Sequence, residues 1–118
     1  MAYVDAFVLA VPKDKLDAYK EMARTAGKVW RDHGAHDYVE SLADDVPDGE
    51  VTSFPLAVKA RPDEIVVFSY ATYDSRQHRD EVMKKVMADE RLKGGMENMP
   101  FDGKRMFWGG FAPFIELH

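Results

Sequence analysis

The chain contains no cysteine among its 118 residues. That excludes disulfides, thiolate nucleophiles and cysteine-ligated zinc or iron–sulfur centres. Long apolar runs are missing too. The opening "MAYVDAFVLAV" is apolar but short and lacks a basic flank, so it reads as neither signal peptide nor membrane span. A soluble cytoplasmic protein with no membrane partner is expected. Nor is there a surplus of positive charge: 16 Lys and Arg stand against 21 Asp and Glu, a formal net charge of −5. This disfavours nucleic acid as a partner, because non-specific affinity for a phosphate backbone needs excess cation. The nearest approach to a basic patch, Lys84, Lys85, Arg91, Lys93, Lys104 and Arg105, is interleaved with acids. The familiar chemical signatures are also lacking. No Gly-rich phosphate loop follows a strand, no GxSxG elbow occurs, and there is no HxH or HExxH pair. Asp44, Asp45, Asp48 and Glu50 lack the spacing of a calcium loop and read as a solvated turn.

What is present is an ordinary globular composition, 46% apolar, consistent with one domain over the whole chain. Residues 3–11, "YVDAFVLAV", are β-branched and aromatic-rich and predict a strand that Pro12 ends. Asp14 suits an N-cap, with Asp17 three residues on. Leu16, Tyr19, Met22, Ala23, Ala26, Val29, Trp30 and His33 then recur at spacings of three and four, the apolar stripe of a helix that Gly34 stops. Residues 35–43 alternate as a strand with His36, Tyr38, Glu40 and Leu42 on one face. "VTSFPLAVKA" and "EIVVFSYATY" read as two further strands joined by the turn "RPD", the first an edge strand or bulged at Pro55. After "YDSRQHRDEVMKKVM" and a Gly-rich connection, "KGGMENMPFDGK", comes a last strand, "RMFWGGFAPFIEL". Gly109 and Gly110 inside it signal a bulge or a close backbone approach.

The predicted order is β-α-β-β-β-α-β, one strand more than the split βαβ pattern. The fold class is α+β, a ferredoxin-like antiparallel sheet with two helices on one face. Two helices shelter one face only, yet "FVLAV", "IVVFSYATY" and "MFWGGFAPFI" are apolar on both. A second copy of the chain, sheet packed on sheet, is the expected cover, which makes the protein a homodimer.

In "YDSRQHRDEVMKKVM", Asp74 or Ser75 caps a helix and Gln77 has the spacing of a capping box with Asp74. Val82, Met83, Val86 and Met87 define its buried stripe, and Arg79 projects near the middle of that stripe with His78 at its margin. Most of this polar burst is thus a helix start. Arg79 leaves two readings: an ion pair with a carboxylate such as Glu40 or Asp5, or a bidentate hold on an anionic ligand. His33 caps terminal carbonyls of the first helix or acts in catalysis. His36, Tyr38 and Glu40, about 7 Å apart on alternate positions, form either one wall of a pocket or the solvent-facing side of an edge strand. One His and one Glu on a strand are too few for a metal, so no metal or organic cofactor is expected. Trp108, Phe111, Phe114, Phe68 and Tyr70 belong to core or dimer interface more readily than to a cofactor cage.

Four stretches, "GAHDYVES", "DDVPDGEVTSFPLAVKARPDEIVVFSYATYDSRQHRD", "VMADERL" and "FDGKRMFWGGF", together resemble the YbaA-like family of uncharacterised bacterial proteins, related to the dimeric α+β barrel superfamily. The resemblance implies a ferredoxin-like subunit that pairs into a barrel, and it brings no catalytic residues. By analogy with that superfamily, a small metabolite is bound or transformed in a cleft between helices and sheet, beside Arg79, with His36, Tyr38, Glu40, Trp108 and His78 as candidate pocket residues. The alternative is a non-catalytic protein-interaction module; RNA binding, disfavoured by charge, comes third.

Overall fold

The computed structural model describes residues 2–93 and 99–118. Strand β1 (Tyr3–Pro12) leads through a 3-10 turn at Lys13–Lys15 into helix α1 (Leu16–Asp32). Strand β2 (Asp37–Leu42), short helix α2 (Phe54–Val58), strand β3 (Glu64–Tyr73), helix α3 (Arg76–Ala88) and strand β4 (Phe107–Phe111) follow. The four strands form one sheet in the order β2-β3-β1-β4, and each neighbouring pair is antiparallel. This is the α+β, ferredoxin-like arrangement anticipated from the pattern of elements, with one strand fewer.

The missing strand is the segment predicted at residues 51–60. Its alternation misleads because Ser53, Phe54 and Pro55 carry a helix start instead. The Ser53 hydroxyl accepts the Leu56 N–H, Pro55 occupies the first turn where its absent N–H costs nothing, and Lys59 closes the helix in the left-handed region at φ 54°. Other expectations also need correction. Asp14 does not cap α1, which grows out of the preceding 3-10 turn with no side-chain cap. The predicted last strand pairs only over Phe107–Phe111. Its register against β1 is unbroken, and the close approach at Gly110 is to the Tyr3 side chain, whose hydroxyl would lie 2.3 Å from an added Cβ. Met87, assigned to the buried stripe of α3, is exposed. Gly94 and Gly95 of the Gly-rich connection lie outside the described residues.

Helix α1 ends as its sequence dictates. Gly34 takes φ +117°, the Gly34 N–H donates to the Arg31 carbonyl and the Ala35 N–H to the Trp30 carbonyl, a Schellman closure that only glycine accepts without strain. Helix α3 starts at Ser75, whose hydroxyl accepts the His78 N–H. Both long helices pack on one face of the sheet. Tyr19 and Ala23 of α1 bury against Leu9, Val11 and Val67, while Val29 joins Val82 and Val86 of α3 against Ala71 and Tyr73. Each of these Val and Leu side chains contributes about 1.5–3 kcal/mol on burial.

The opposite face divides in two. Helix α2 covers one half, with Val58 set against Val8, Ala10 and Val66. Over the other half, Phe68 and Phe107 are exposed, and Phe111, at 62%, is more so. The expectation that two helices leave the whole second face bare is therefore corrected: the chain shelters half of it with its own short helix.

Candidate functional site

Each row of side chains on the helix face follows from strand register. Glu40 of β2 pairs with Ser69 of β3, Ser69 with Phe7 of β1, and Phe7 with Trp108 of β4. Ser69 is the small member of that row, and α1 crosses above it. The result is a cavity of about 400 Å³ between α1 and the sheet. Phe7, Leu9, Met22, Trp30, Phe101 and Met106 supply most of its apolar wall, with Arg91 at one side. A second, wider groove of about 590 Å³ runs along the other side of α1 past Lys20, Arg24 and Arg31. Tyr19, Ala23, Tyr38 and Glu40 line both.

Glu40 is the polar centre of this region. Tyr19 donates its hydroxyl hydrogen to Oε1 at 2.6 Å and Tyr38 donates to Oε2 at 2.7 Å. Burial, reinforced by the adjacent Glu40 carboxylate, pushes both phenols well above their ordinary range, so both remain donors. Glycine at position 27 of α1 makes room for this set: an added Cβ would sit 2.9 Å from the Tyr38 ring. Each carboxylate oxygen keeps a further lone pair for a donor arriving in the cavity.

The next row along the sheet carries a different acid. Asp5 is 1% exposed and takes the Arg79 Nη1–H at 2.7 Å, and Tyr73 also donates to it. Burial raises the Asp5 carboxyl in spite of Arg79. The guanidinium lies over the Tyr3 ring, 5.0 Å from its centroid, and also bonds Asp80 at 2.9 Å. Of the two readings for Arg79, the geometry places it in the ion pair with Asp5. Trp30 bridges the two acids: its Nε1 donates to the Tyr73 hydroxyl at 3.2 Å and its ring lies 5.5 Å from that of Tyr38.

Of the six candidate pocket residues, Tyr38 and Glu40 come together on the cavity. Arg79, His36, His78 and Trp108 line neither space. Trp108 stacks on Phe7 at 6.3 Å and is 60% exposed at the sheet edge. His36 immediately precedes β2 and meets Asp74 and His78 at the far end of the sheet, outside both spaces. This gathers three metal-capable side chains where the sequence offered two on one strand. His33 does not cap carbonyls through its ring; its Nε2 bonds Asp89 at 2.7 Å. Tyr19, Phe101 and Met106 were missed as cavity residues because α1 periodicity marks Tyr19 only as core, and nothing local marks the other two. The bidentate pair of Arg105 with Glu64, 2.7 Å at both oxygens, was missed for a like reason: its partners are 41 residues apart.

Residues 2–103 match the family described as "Protein of unknown function (DUF1428)". The chain belongs to this family. It is 53% identical to the uncharacterized protein YbaA of Escherichia coli strain K12 over 116 residues, 98% of this chain and 99% of that one. The same identity and coverage hold for the YbaA of Shigella flexneri. Among solved structures, a protein from an uncultured marine organism, described as a dimeric ferredoxin-like protein, superposes with a TM-score of 0.59 at 10% identity, covering 100% of this chain and 99% of that chain. A second protein so described gives 0.58 at 10% identity. At such identity the likeness establishes the fold. Within the DUF1428 family fold, no helix of the described residues is long and apolar enough to cross a membrane.

Proposed function

We propose that this member of the DUF1428 family is a homodimeric small-molecule-binding protein whose site is the cavity between α1 and the sheet. One observation carries the reading: among the described residues, the cavity is walled by aromatic and thioether side chains around a single carboxylate, Glu40, that is held by two phenols and by no cation. Such a space suits a compact, largely apolar molecule that presents a hydroxyl or amine hydrogen to Glu40. Tyr19 and Tyr38 fix the carboxylate, and Trp30 and Phe7 offer flat surfaces for a ring. The homodimer reading is supported by the uncovered half of the second sheet face, with Phe68, Phe107 and Phe111 open to water, and by fold neighbours described as dimeric. A two-fold pairing of that face buries the same patch on both copies.

A thermal-shift screen of small hydroxylated and amino-aromatic compounds, wild type beside Glu40→Gln, tests the site. Stabilisation of wild type that Glu40→Gln loses supports it; equal responses, or none across the screen, remove it. Sedimentation tests the dimer, with Phe111→Glu expected to yield monomer. The second reading, a protein-interaction module, is favoured by the C-terminal Phe114, Ile115 and Leu117, all exposed. Loss of a bound protein partner on changing these three to serine, with no small-molecule response, distinguishes it.

A further inference from the structure

We infer that His36, Asp74 and His78 form a binding site for one divalent transition-metal ion of the imidazole-preferring kind, such as zinc, cobalt or nickel. Their ligand atoms all lie within 4.8 Å of one another. His36 Nε2 is 2.6 Å from Asp74 Oδ1, and His78 Nδ1 is 3.7 Å from Asp74 Oδ2. Metal bonds of about 2.0–2.2 Å hold neighbouring donor atoms roughly 3.0–3.5 Å apart, so the observed separations bracket what an ion requires. Two imidazoles and one carboxylate, with the remaining positions open to water, suit the borderline ions and not magnesium or calcium, which prefer an all-oxygen shell.

Each ligand is already positioned by its own segment. The His36 N–H donates to the Thr72 carbonyl at 2.9 Å, and Arg31 donates to the His36 carbonyl, pinning the start of β2 beside the end of β3. Asp74 and His78 are set four residues apart by the Ser75 cap of α3. The His78 ring stands edge-on to Tyr73, centroids 5.9 Å apart. Glycine at position 34 leaves the ring its room, since an added Cβ would lie 3.2 Å from His78 Nε2. In the structure the Asp74 N–H donates to His78 Nδ1 at 2.9 Å. An ion takes that lone pair and leaves the amide to water at an exposed turn, a loss of about 1 kcal/mol that a metal–nitrogen bond outweighs. His36 Nε2 carries the hydrogen it donates to Asp74, so ligation moves that proton to Nδ1, the other tautomer of the neutral imidazole, and the freed Nε2 lone pair takes the shared ion in place of the hydrogen bond.

Isothermal titration of protein without an affinity tag, with zinc chloride and separately with cobalt chloride, tests the site. One ion per chain is expected, with visible ligand-field bands for cobalt and no saturable magnesium binding. His36→Ala and Asp74→Asn, both at exposed positions that leave the core untouched, should each weaken binding about tenfold or more, and His36→Ala/His78→Gln should abolish it. Circular dichroism confirms that the variants are folded. Absence of saturable zinc binding, or unchanged affinity in the double variant, overturns the proposal.

Discussion

Asp5 and Glu40 sit on the same face of the same sheet, one row apart, and each accepts two hydrogen bonds. Asp5 receives a guanidinium and a phenol, from Arg79 and Tyr73. Glu40 receives two phenols, from Tyr19 and Tyr38. Asp5 is closed off beneath α3 and Tyr3, whereas Glu40 opens on a cavity and a groove. A buried acid with its own cation is finished: its charge is neutralised inside the chain and it has nothing further to attract. A half-buried acid held only by neutral donors retains a negative field that a ligand can satisfy. That difference in partner chemistry, more than burial, separates the structural acid from the functional candidate.

The largest expected effect breaks the finished side. Arg79→Ala strands Asp5 without its cation and should cost about 3–5 kcal/mol in chemical denaturation. Arg79→Met combined with Asp5→Leu should recover much of that loss, since neither charge then remains buried. If Arg79→Ala is neutral, the pair is not holding α3 to the sheet and the contrast fails. On the open side, Tyr19→Phe and Tyr38→Phe each remove one donor to a charged acceptor, an expected loss of about 1.5–3 kcal/mol. Their combination should exceed the sum, because the second deletion leaves Glu40 with no donor. Smaller still, Glu40→Gln should change stability by about 1 kcal/mol or less, because the amide oxygen accepts from one phenol while the amide N–H donates to the oxygen of the other, and no charge has to be desolvated. Its effect belongs in ligand response, not in the denaturation midpoint.

The smallest effect is a slope with pH. Asp5 has a folded pKa raised above the usual 3.8 by burial. Between those values the folded chain holds the proton more firmly than the unfolded one, so this group's stabilisation is lost as pH rises through the window. Glu64, held below the usual 4.5 by Arg105, acts oppositely: its contribution is full above that value and fades as pH falls below it. Measured between about pH 5 and pH 3, the acid limb of the stability curve should steepen in Asp5→Asn and flatten in Glu64→Gln. Equal slopes in the two variants would mean that these acids do not differ in environment.

Several of these features could be read directly from residues. The stripe of α1 and its stop at Gly34, a helix start at Asp74 or Ser75, of which the structure uses Ser75, and Asp5 as one of two partners for Arg79 all follow from periodicity, capping chemistry and the rule that a buried guanidinium needs a carboxylate. Others were hidden. Residues 51–60 alternate like a strand, and it is the Ser53 cap on Leu56, Pro55 in the first turn and the left-handed Lys59 that make them α2. His36 looked like a pocket companion of Tyr38 because alternation says nothing of what waits beyond the strand's start at Asp37; its ring meets a turn 38 residues away. Phe101 and Met106 carry no local mark of the cavity that they wall.

Local chemistry in the chain therefore determined the helices with clear caps, the strands with two-sided apolar character and the demand of Arg79 for an acid, because each depends on residues within a few turns of one another. Tertiary structure alone decided that Asp5 and not Glu40 would answer Arg79, and that His36 would meet Asp74 and His78. It also placed Ser69 as the gap in a row of larger side chains. These outcomes depend on strand order and register, which bring distant segments within a hydrogen bond's length only after the chain has closed on itself.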